Sequence, residues 1–205
     1  MLEDMTIAVI GGRGKLGAAL AARWSAAGLE VLIGSRSGMA YAEAAAAADI
    51  IVVTVPFAAQ AETLAEIAPH VDGKIVLDTT VPLVPPRVMR VQLPPEGSAA
   101  QRAQALLGEN VRVISGFHNL AAHKLAVPGP VDCDCLVFGD VRTDRAVGVA
   151  LAEAAGLRAL HGGSLANSAA AEAMTSVLMF LNRTYQSDGA GLRFTAIPDV
   201  AKPAA

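Results

Sequence analysis

Residues Ile7–Gly17 read IAVIGGRGKLG. The aliphatic run Thr6–Ile10 has the make-up of a buried strand. Glycines then stand at positions 11, 12, 14 and 17, and the chain continues as LGAALAARWSA, with Leu16, Leu20 and Trp24 four apart. That spacing predicts a helix over Leu16–Ala26, stopped at Gly28. Gly12-Arg13-Gly14-Lys15-Leu16-Gly17 therefore fits G-x-G-x-x-G between a strand and a helix, the context that gives the pattern physical meaning. The first glycine permits the tight bend, the second lets a pyrophosphate approach the backbone, and the third lets helix and strand pack closely. Phosphates sit on unpaired N–H groups at the positive helix end. A phosphate loop of the G-x-x-x-x-G-K-[ST] type is excluded, because Leu16 follows Lys15 and offers magnesium no hydroxyl. A merely tight turn is the remaining alternative.

Strand-like and helix-like segments alternate along the rest of the chain. Leu29–Ser35, Asp49–Val55, Gly73–Thr79, Val111–Ser115, Cys135–Gly139 and Leu157–Leu160 read as strands. Gln60–Ala68, Thr143–Ala155 and Ala166–Leu181 read as helices, as does a segment opened by a Ser98–Gln101 capping box and closed by Gly108. Prolines cluster between Pro82 and Pro95 and predict an irregular loop, and the tail from Asn182 also reads as irregular. The alternation implies an α/β fold: a Rossmann-like, doubly wound, mostly parallel sheet with helices on both faces. A small helical carboxy-terminal lobe completes it. The expected division is residues 1–162 for the nucleotide-binding domain and residues 163–205 for a lobe that closes the substrate pocket.

The length of 205 residues suffices for one well-formed core. Hydrophobic residues make up 53% and mean hydropathy is +0.45, but much of this is alanine. The most apolar stretch, Ile50–Ala59, is about half the roughly 20 residues a membrane helix needs, so no membrane association is expected. The MLEDM start carries no signal-peptide pattern. A net charge of −3, scattered Lys and Arg, and 4% aromatic residues point away from nucleic acid. Cys133 and Cys135 read as reduced packing residues of a cytoplasmic protein. At strand spacing they share one face, but two further ligands are not evident and no metal site is expected.

A site for NAD usually presents Asp or Glu after the second strand, to accept from the ribose 2′-hydroxyl. Here the segment is Gly34-Ser35-Arg36-Ser37. A hydroxyl and a guanidinium stand where a 2′-phosphate would lie, and Arg matches phosphate geometry with two donors. Arg13 adds positive charge from the loop. These residues favour NADP(H); an ordinary solvated arginine at position 36 is the alternative.

Four stretches together resemble the NADPH-dependent reductases of the deazaflavin coenzyme F420, the F420:NADP oxidoreductases. They are VIGGRGKLG with IGSR, VTVPF, VPLVP, and the pair SGFHNLAAHKL and GGSLANSAAAEAM. The resemblance covers the chain from Met5 to about Phe194. It implies direct hydride passage between nicotinamide C4 and deazaflavin C5. It further implies that Arg13, Gly14, Lys15, Leu16, Ser35 and Arg36 hold NADP. By the same resemblance Thr54, Val55, Pro56, Phe57, Ala59 and Val84 flank its ribose and nicotinamide. His118, Asn119, Leu120 and Ala122 border the deazaflavin, and Ala190, Gly191 and Leu192 close the pocket. One departure stands out. Family members carry a full helix and strand between GSR and the strand before VTVP, and here only Ser37–Ala48 fills that gap. A helix over Met39–Ala48, roughly 15 Å long at 1.5 Å per residue, recrosses the sheet but leaves little for a further edge strand.

Hydride transfer between two planar rings needs no acid or base for the hydride itself, so no catalytic residue is expected. It needs the two carbons roughly 3–3.5 Å apart and a dry slot. The small apolar segments Val81–Val84 and Ala121–Ala122 suit such a slot. His118, with Asn119 beside it, is the leading candidate for positioning; a histidine satisfied within a loop is the alternative. Asn167, Ser168 and Glu172 read as caps of the last helix, with cofactor contact as the other option. That helix is apolar on most faces, which predicts burial against the sheet on one side and a twin subunit on another, hence a homodimer. Two other functions share the scaffold: an NADPH-dependent reductase of a pterin or imine, and a non-catalytic NADP(H)-binding redox sensor. A sensor needs no second ring pocket.

Overall fold

The structure, a computed structural model, describes residues 2–197 of the chain. Along it run β1 (Thr6–Ile10), α1 (Lys15–Ala26), β2 (Glu30–Gly34), α2 (Tyr41–Ala47), β3 (Ile50–Val53), α3 (Phe57–Ile67) and β4 (Ile75–Asp78). Then come α4 (Ala99–Leu107), β5 (Arg112–Ser115), α5 (Ala122–Leu125), β6 (Asp134–Phe138), α6 (Arg142–Ala154), β7 (Arg158–Gly163) and α7 (Ser168–Tyr185). The seven strands form one sheet in the order β2-β1-β3-β4-β5-β6-β7. All neighbours are parallel except β5 and β6, which pair antiparallel through Ser115 and Phe138.

The central strands are apolar without a break because both of their faces are covered. Ile7, Val9, Ile50, Val52, Ile75 and Leu77 point to one side, where Leu20 and Trp24 of α1 and Leu151 of α6 bury them. Ala8, Ile10, Ile51, Val53 and Val76 point to the other, against Ala44 of α2, Leu64 and Ile67 of α3, and Ala103 of α4. This alternation along each strand is the expected doubly wound architecture.

The elements differ from expectation where tertiary contacts override local pattern. Helix α3 starts at Phe57 rather than Gln60, because Pro56, with φ fixed at −60°, already serves as its N-cap residue. Strand β7 runs on to Gly163, drawn out by its pairing with β6. Helix α7 continues to Tyr185 and stops at Gln186 in the left-handed region. The short helix α5 was not foreseen. Helix α7 buries Ala171, Ser176 and Leu178, while Met174, Val177 and Phe180 on its outer face, the side expected to meet a twin subunit, are 36%, 39% and 52% exposed. The segment after β2 holds an isolated bridge between Gly34 and Met39 and the seven-residue α2. That helix is about 10 Å long rather than 15 Å. Lys74 Nζ holds its last turn through the carbonyls of Ala45 (2.9 Å) and Ala46 (3.0 Å), a favourable place for a cation.

Arg23 closes the back of the molecule. Its guanidinium donates to the carbonyls of Leu125, Val127, Gly129 and Ala155, joining α1 to the α5 loop and to the end of α6. Beyond α7 the chain returns as a strap along α5 and the start of β6. Residues 198–205 of the expected carboxy-terminal lobe lie outside the described residues.

Candidate cofactor crevice

The glycine turn is held by the end of the second strand. The N–H groups of Gly11 and Gly12 both donate to the carbonyl of Gly34, at 3.1 and 3.2 Å. Gly11 takes φ +83°, where L side chains are strained. A Cβ on Gly12 would lie 2.9 Å from Ile33 Cγ2 and 3.0 Å from the Val9 carbonyl. A Cβ on Gly17 would lie 2.6 Å from Thr54 Oγ1 and 2.8 Å from Gly12 Cα, so helix and strand touch where the sequence pattern requires it. Thr54 in turn donates its hydroxyl to the Ile10 carbonyl at 2.9 Å. Gly14 is the N-cap residue of α1, and no side chain caps that helix. Its first N–H groups are thus left to an anion.

Arg13, Gly14, Ser35, Arg36, Thr54, Val55, Pro56 and Ala59, all expected at the cofactor, line one cavity of about 310 Å³. Tyr41, which the sequence reading missed, joins them. Its signal was its place at the start of the shortened helix. Arg13 Nη1 donates to Ser37 Oγ at 2.7 Å, across the mouth of this cavity. Ser35 is 6% exposed and its hydroxyl is buried without a hydrogen-bond partner. An unpaired buried hydroxyl is costly, and a phosphate oxygen beside two arginines satisfies it. The residues present therefore fit a nucleotide that carries a 2′-phosphate. Leu16 packs on the α1 side of the core, Lys15 is exposed, and Phe57 lies under the Arg102 guanidinium at 4.9 Å.

A second cavity, of about 440 Å³, lies beyond the carboxyl end of β5, between α5 and the strap. Leu120 and Gly191 line it, together with Ala121, Lys124, Cys133 and Asp188. The strap is pinned on both sides. Asp188 meets His123 at 2.9 Å and Lys124 at 3.0 Å. Ala190 N–H donates to Asn182 Oδ1 at 2.8 Å, and Leu192 offers its carbonyl to Asp134 N–H at 2.7 Å. Ala122 is half-buried at the start of α5. Val84 is exposed on the proline-rich loop and lines neither cavity.

His118 and Asn119 turn inward. His118 Nε2 lies 2.8 Å from Ser115 Oγ, and burial lowers its pKa to about 4, so the ring is neutral. Asn119 donates to the Ala171 carbonyl (2.7 Å) and to Thr175 Oγ1 (3.1 Å), and Thr175 donates to the His118 carbonyl. Both residues thereby dock α7 on the end of β5. Asn167 bonds the Gly162 carbonyl, Ser168 bonds Ser98, and Glu172 caps α4 rather than its own helix.

The family model described as NADP oxidoreductase coenzyme F420-dependent matches residues 36–82. Over 224 aligned positions the chain is 40% identical to the F420-dependent NADP reductase of Methanothermobacter thermautotrophicus, covering 95% of this chain and 97% of that one. The chain belongs to the F420-dependent NADP reductase family. The family member from Methanothermobacter marburgensis is 37% identical over 225 positions, covering 95% of this chain and 100% of its own. A solved structure from Arthrobacter sp. FB24 shares the fold, with a TM-score of 0.82 at 23% identity over 95% of this chain and 100% of that one.

Within this family fold Gly17 is the tightest contact of the turn, with backbone on two sides of any added carbon. Gly17→Val is expected to lower the free energy of urea unfolding by about 3 kcal/mol and to abolish NADPH binding by titration calorimetry.

Proposed function

We propose that the protein transfers a hydride between NADP(H) and the deazaflavin coenzyme F420. The observation that carries this reading is the phosphate end of the crevice, where the open start of α1, the unpartnered Ser35 hydroxyl and the Arg13–Ser37 pair converge. Membership of the F420-dependent NADP reductase family supplies the second carrier. The two rings bring the redox chemistry; the chain binds, aligns and dries them. Positioning of that kind can supply about 7–11 kcal/mol of a barrier.

In this reading Gly12, Gly14, Lys15 and Leu16 hold the diphosphate, and Ser35, Arg36 and Arg13 hold the 2′-phosphate. Tyr41 offers a ring face beside the adenine, where the shortened segment leaves a gap. Thr54, Val55, Pro56, Phe57 and Ala59 line the ribose and nicotinamide. Val84 flanks the nicotinamide from the proline-rich loop, Leu120 and Ala122 border the deazaflavin, and Ala190, Gly191 and Leu192 close over it from the strap. His118 and Asn119 position this wall from behind. Residues 1–162 act as the NADP-binding domain and residues 163–205 as the closing lobe. Buried, free Cys133 and Cys135 suit the reducing cytoplasm. Among the described residues no helix is long and apolar enough to cross a membrane. The exposed Met174, Val177 and Phe180 stripe of α7 gives a second copy of the chain its contact, making a homodimer.

The purified protein is expected to oxidise NADPH on addition of oxidised F420, followed by loss of deazaflavin absorbance. Tight NADPH binding with no turnover favours a sensor, and turnover with a pterin or imine alone favours another acceptor. Arg36→Ala is expected to raise KM for NADPH roughly 10- to 100-fold, the equivalent of a lost charged hydrogen bond, while KM for NADH changes little. Equal effects on both would remove the 2′-phosphate assignment. Light scattering is expected to find a dimer, and Phe180→Glu a monomer.

A further inference from the structure

Strand β5 ends at Ser115, and the chain turns through Gly116-Phe117-His118-Asn119. Phe117 has φ +65°, in the left-handed region that bulky L residues avoid. Gln186 and Ala196 are the other non-glycine residues at positive φ among the described residues, and both are exposed beyond α7. Phe117 is 2% exposed. Glycine adopts this conformation without strain, yet the adjacent Gly116 does not take a positive φ. The turn falls on the phenylalanine.

What holds the strained residue is its ring. It meets Trp24 of α1 edge to face, with ring centroids 6.0 Å apart and planes at 81°. The indole is itself fixed, because Trp24 Nε1 donates to the Leu151 carbonyl of α6 at 2.8 Å. Leu20, Leu125 and Cys135 belong to the same buried cluster. Tertiary packing thus keeps the backbone where local preference would not, the circumstance in which such strain accompanies function.

The residues that follow form a wall. The His118 ring folds back over the turn to Ser115 Oγ. The His118 carbonyl accepts from the Thr175 hydroxyl at 3.0 Å, and Asn119 donates to the Ala171 carbonyl. Leu120 and Ala121 then line the cavity of about 440 Å³, and Ala122 opens α5. The far end of this short helix is held by the neighbour of Trp24 in the chain: Arg23 Nε donates to the Leu125 carbonyl at 2.6 Å. Helix α1 therefore begins at the glycine turn and, near its other end, fixes both ends of the wall of the second cavity.

We propose that Phe117, clamped by Trp24, is a positioning residue for hydride transfer: the ring contact maintains the left-handed turn that sets residues 118–122 against the hydride acceptor. The proposal rests on the hydride-transfer reading and adds to it a residue that lines neither cavity. Without the clamp an L residue at position 117 relaxes toward ordinary φ, since the left-handed region disfavours it by a population factor on the order of 10. A change of φ there swings the wall. Displacement of about 1 Å in a reacting pair costs on the order of 100-fold in rate, so a small swing suffices.

The test compares the wild type, Phe117→Ala and Phe117→Gly, with kcat for F420 reduction and KM for NADPH measured well below each melting temperature. Phe117→Ala loses the clamp and keeps the left-handed penalty. Its kcat is expected to fall about 100-fold, while KM for NADPH moves less than about 3-fold. Phe117→Gly loses the clamp and the penalty together, and its kcat is expected to stay at least about 10-fold above that of Phe117→Ala. A residue that only fills the core gives the other order, because glycine leaves the larger cavity. A kcat for Phe117→Gly no higher than for Phe117→Ala, or a loss confined to KM for NADPH, overturns the proposal.

Trp24→Phe is the gentler probe, since it keeps an aromatic ring in the core, and it decides the matter where Phe117→Ala does not fold. Alone it is expected to lower kcat about 5- to 10-fold, and together with Phe117→Gly to change it less than about 2-fold further. Equal losses in the two backgrounds overturn the proposal. Absence of F420 turnover by the wild type defeats the hydride-transfer reading instead, and amide hydrogen exchange over residues 118–125 then decides the turn. Faster exchange in Phe117→Ala than in the wild type, reversed in Phe117→Gly, supports it; equal exchange in the two variants overturns it.

Discussion

The rest of the molecule depends on an unsatisfied helix end. A helix must find partners for its first N–H groups, and α1 begins at Gly14 with no side chain supplied to meet them. The turn is packed too tightly to supply one: Gly12 abuts β2, and Gly17 abuts Thr54. An anion is the remaining partner. The five parallel strands bring their carboxyl ends to the same edge, so Ser35 and Thr54 arrive beside the open helix end.

Much of this was legible in the sequence. The strand–turn–helix unit at Ile7–Gly17 combines two periodicities with a glycine pattern, and each of its glycines has a local steric reason. The central strands were legible because burial on both faces imposes continuous aliphatic runs. Long-range partnerships were not. Glu172 sits in the first turns of α7 and reads as a cap of that helix, yet its partner N–H groups lie 73 and 72 residues earlier. Asp78 ends an apolar strand, and nothing in its neighbours tells that Gln60 will meet it. His118 was placed correctly at a strand end, but the inward turn of its ring depends on Ser115 and on α7. The apolar faces of α7 were legible too, but which of them the chain itself covers depends on distant elements that local sequence does not reveal.

The segment between β2 and β3 shows how a very short helix is kept in place. An isolated two-turn helix is not stable in water. Helix α2 persists because Ala44 and Ala45 are sealed against the sheet and Lys74 holds its end. The short connection brings Tyr41 onto the cavity at the glycine turn and sets Ser37 opposite Arg13.

Arg23 holds the rear of the molecule by peptide groups rather than by a salt bridge. Its charge is met by four peptide oxygens and, among the described residues, by no acid. Peptide dipoles neither titrate nor exchange counter-ions, so this rear seam has the same strength in mild acid as at neutrality. The molecule therefore has a rear seam that mild acid leaves in place, joining α1 to the α5 loop and to the end of α6.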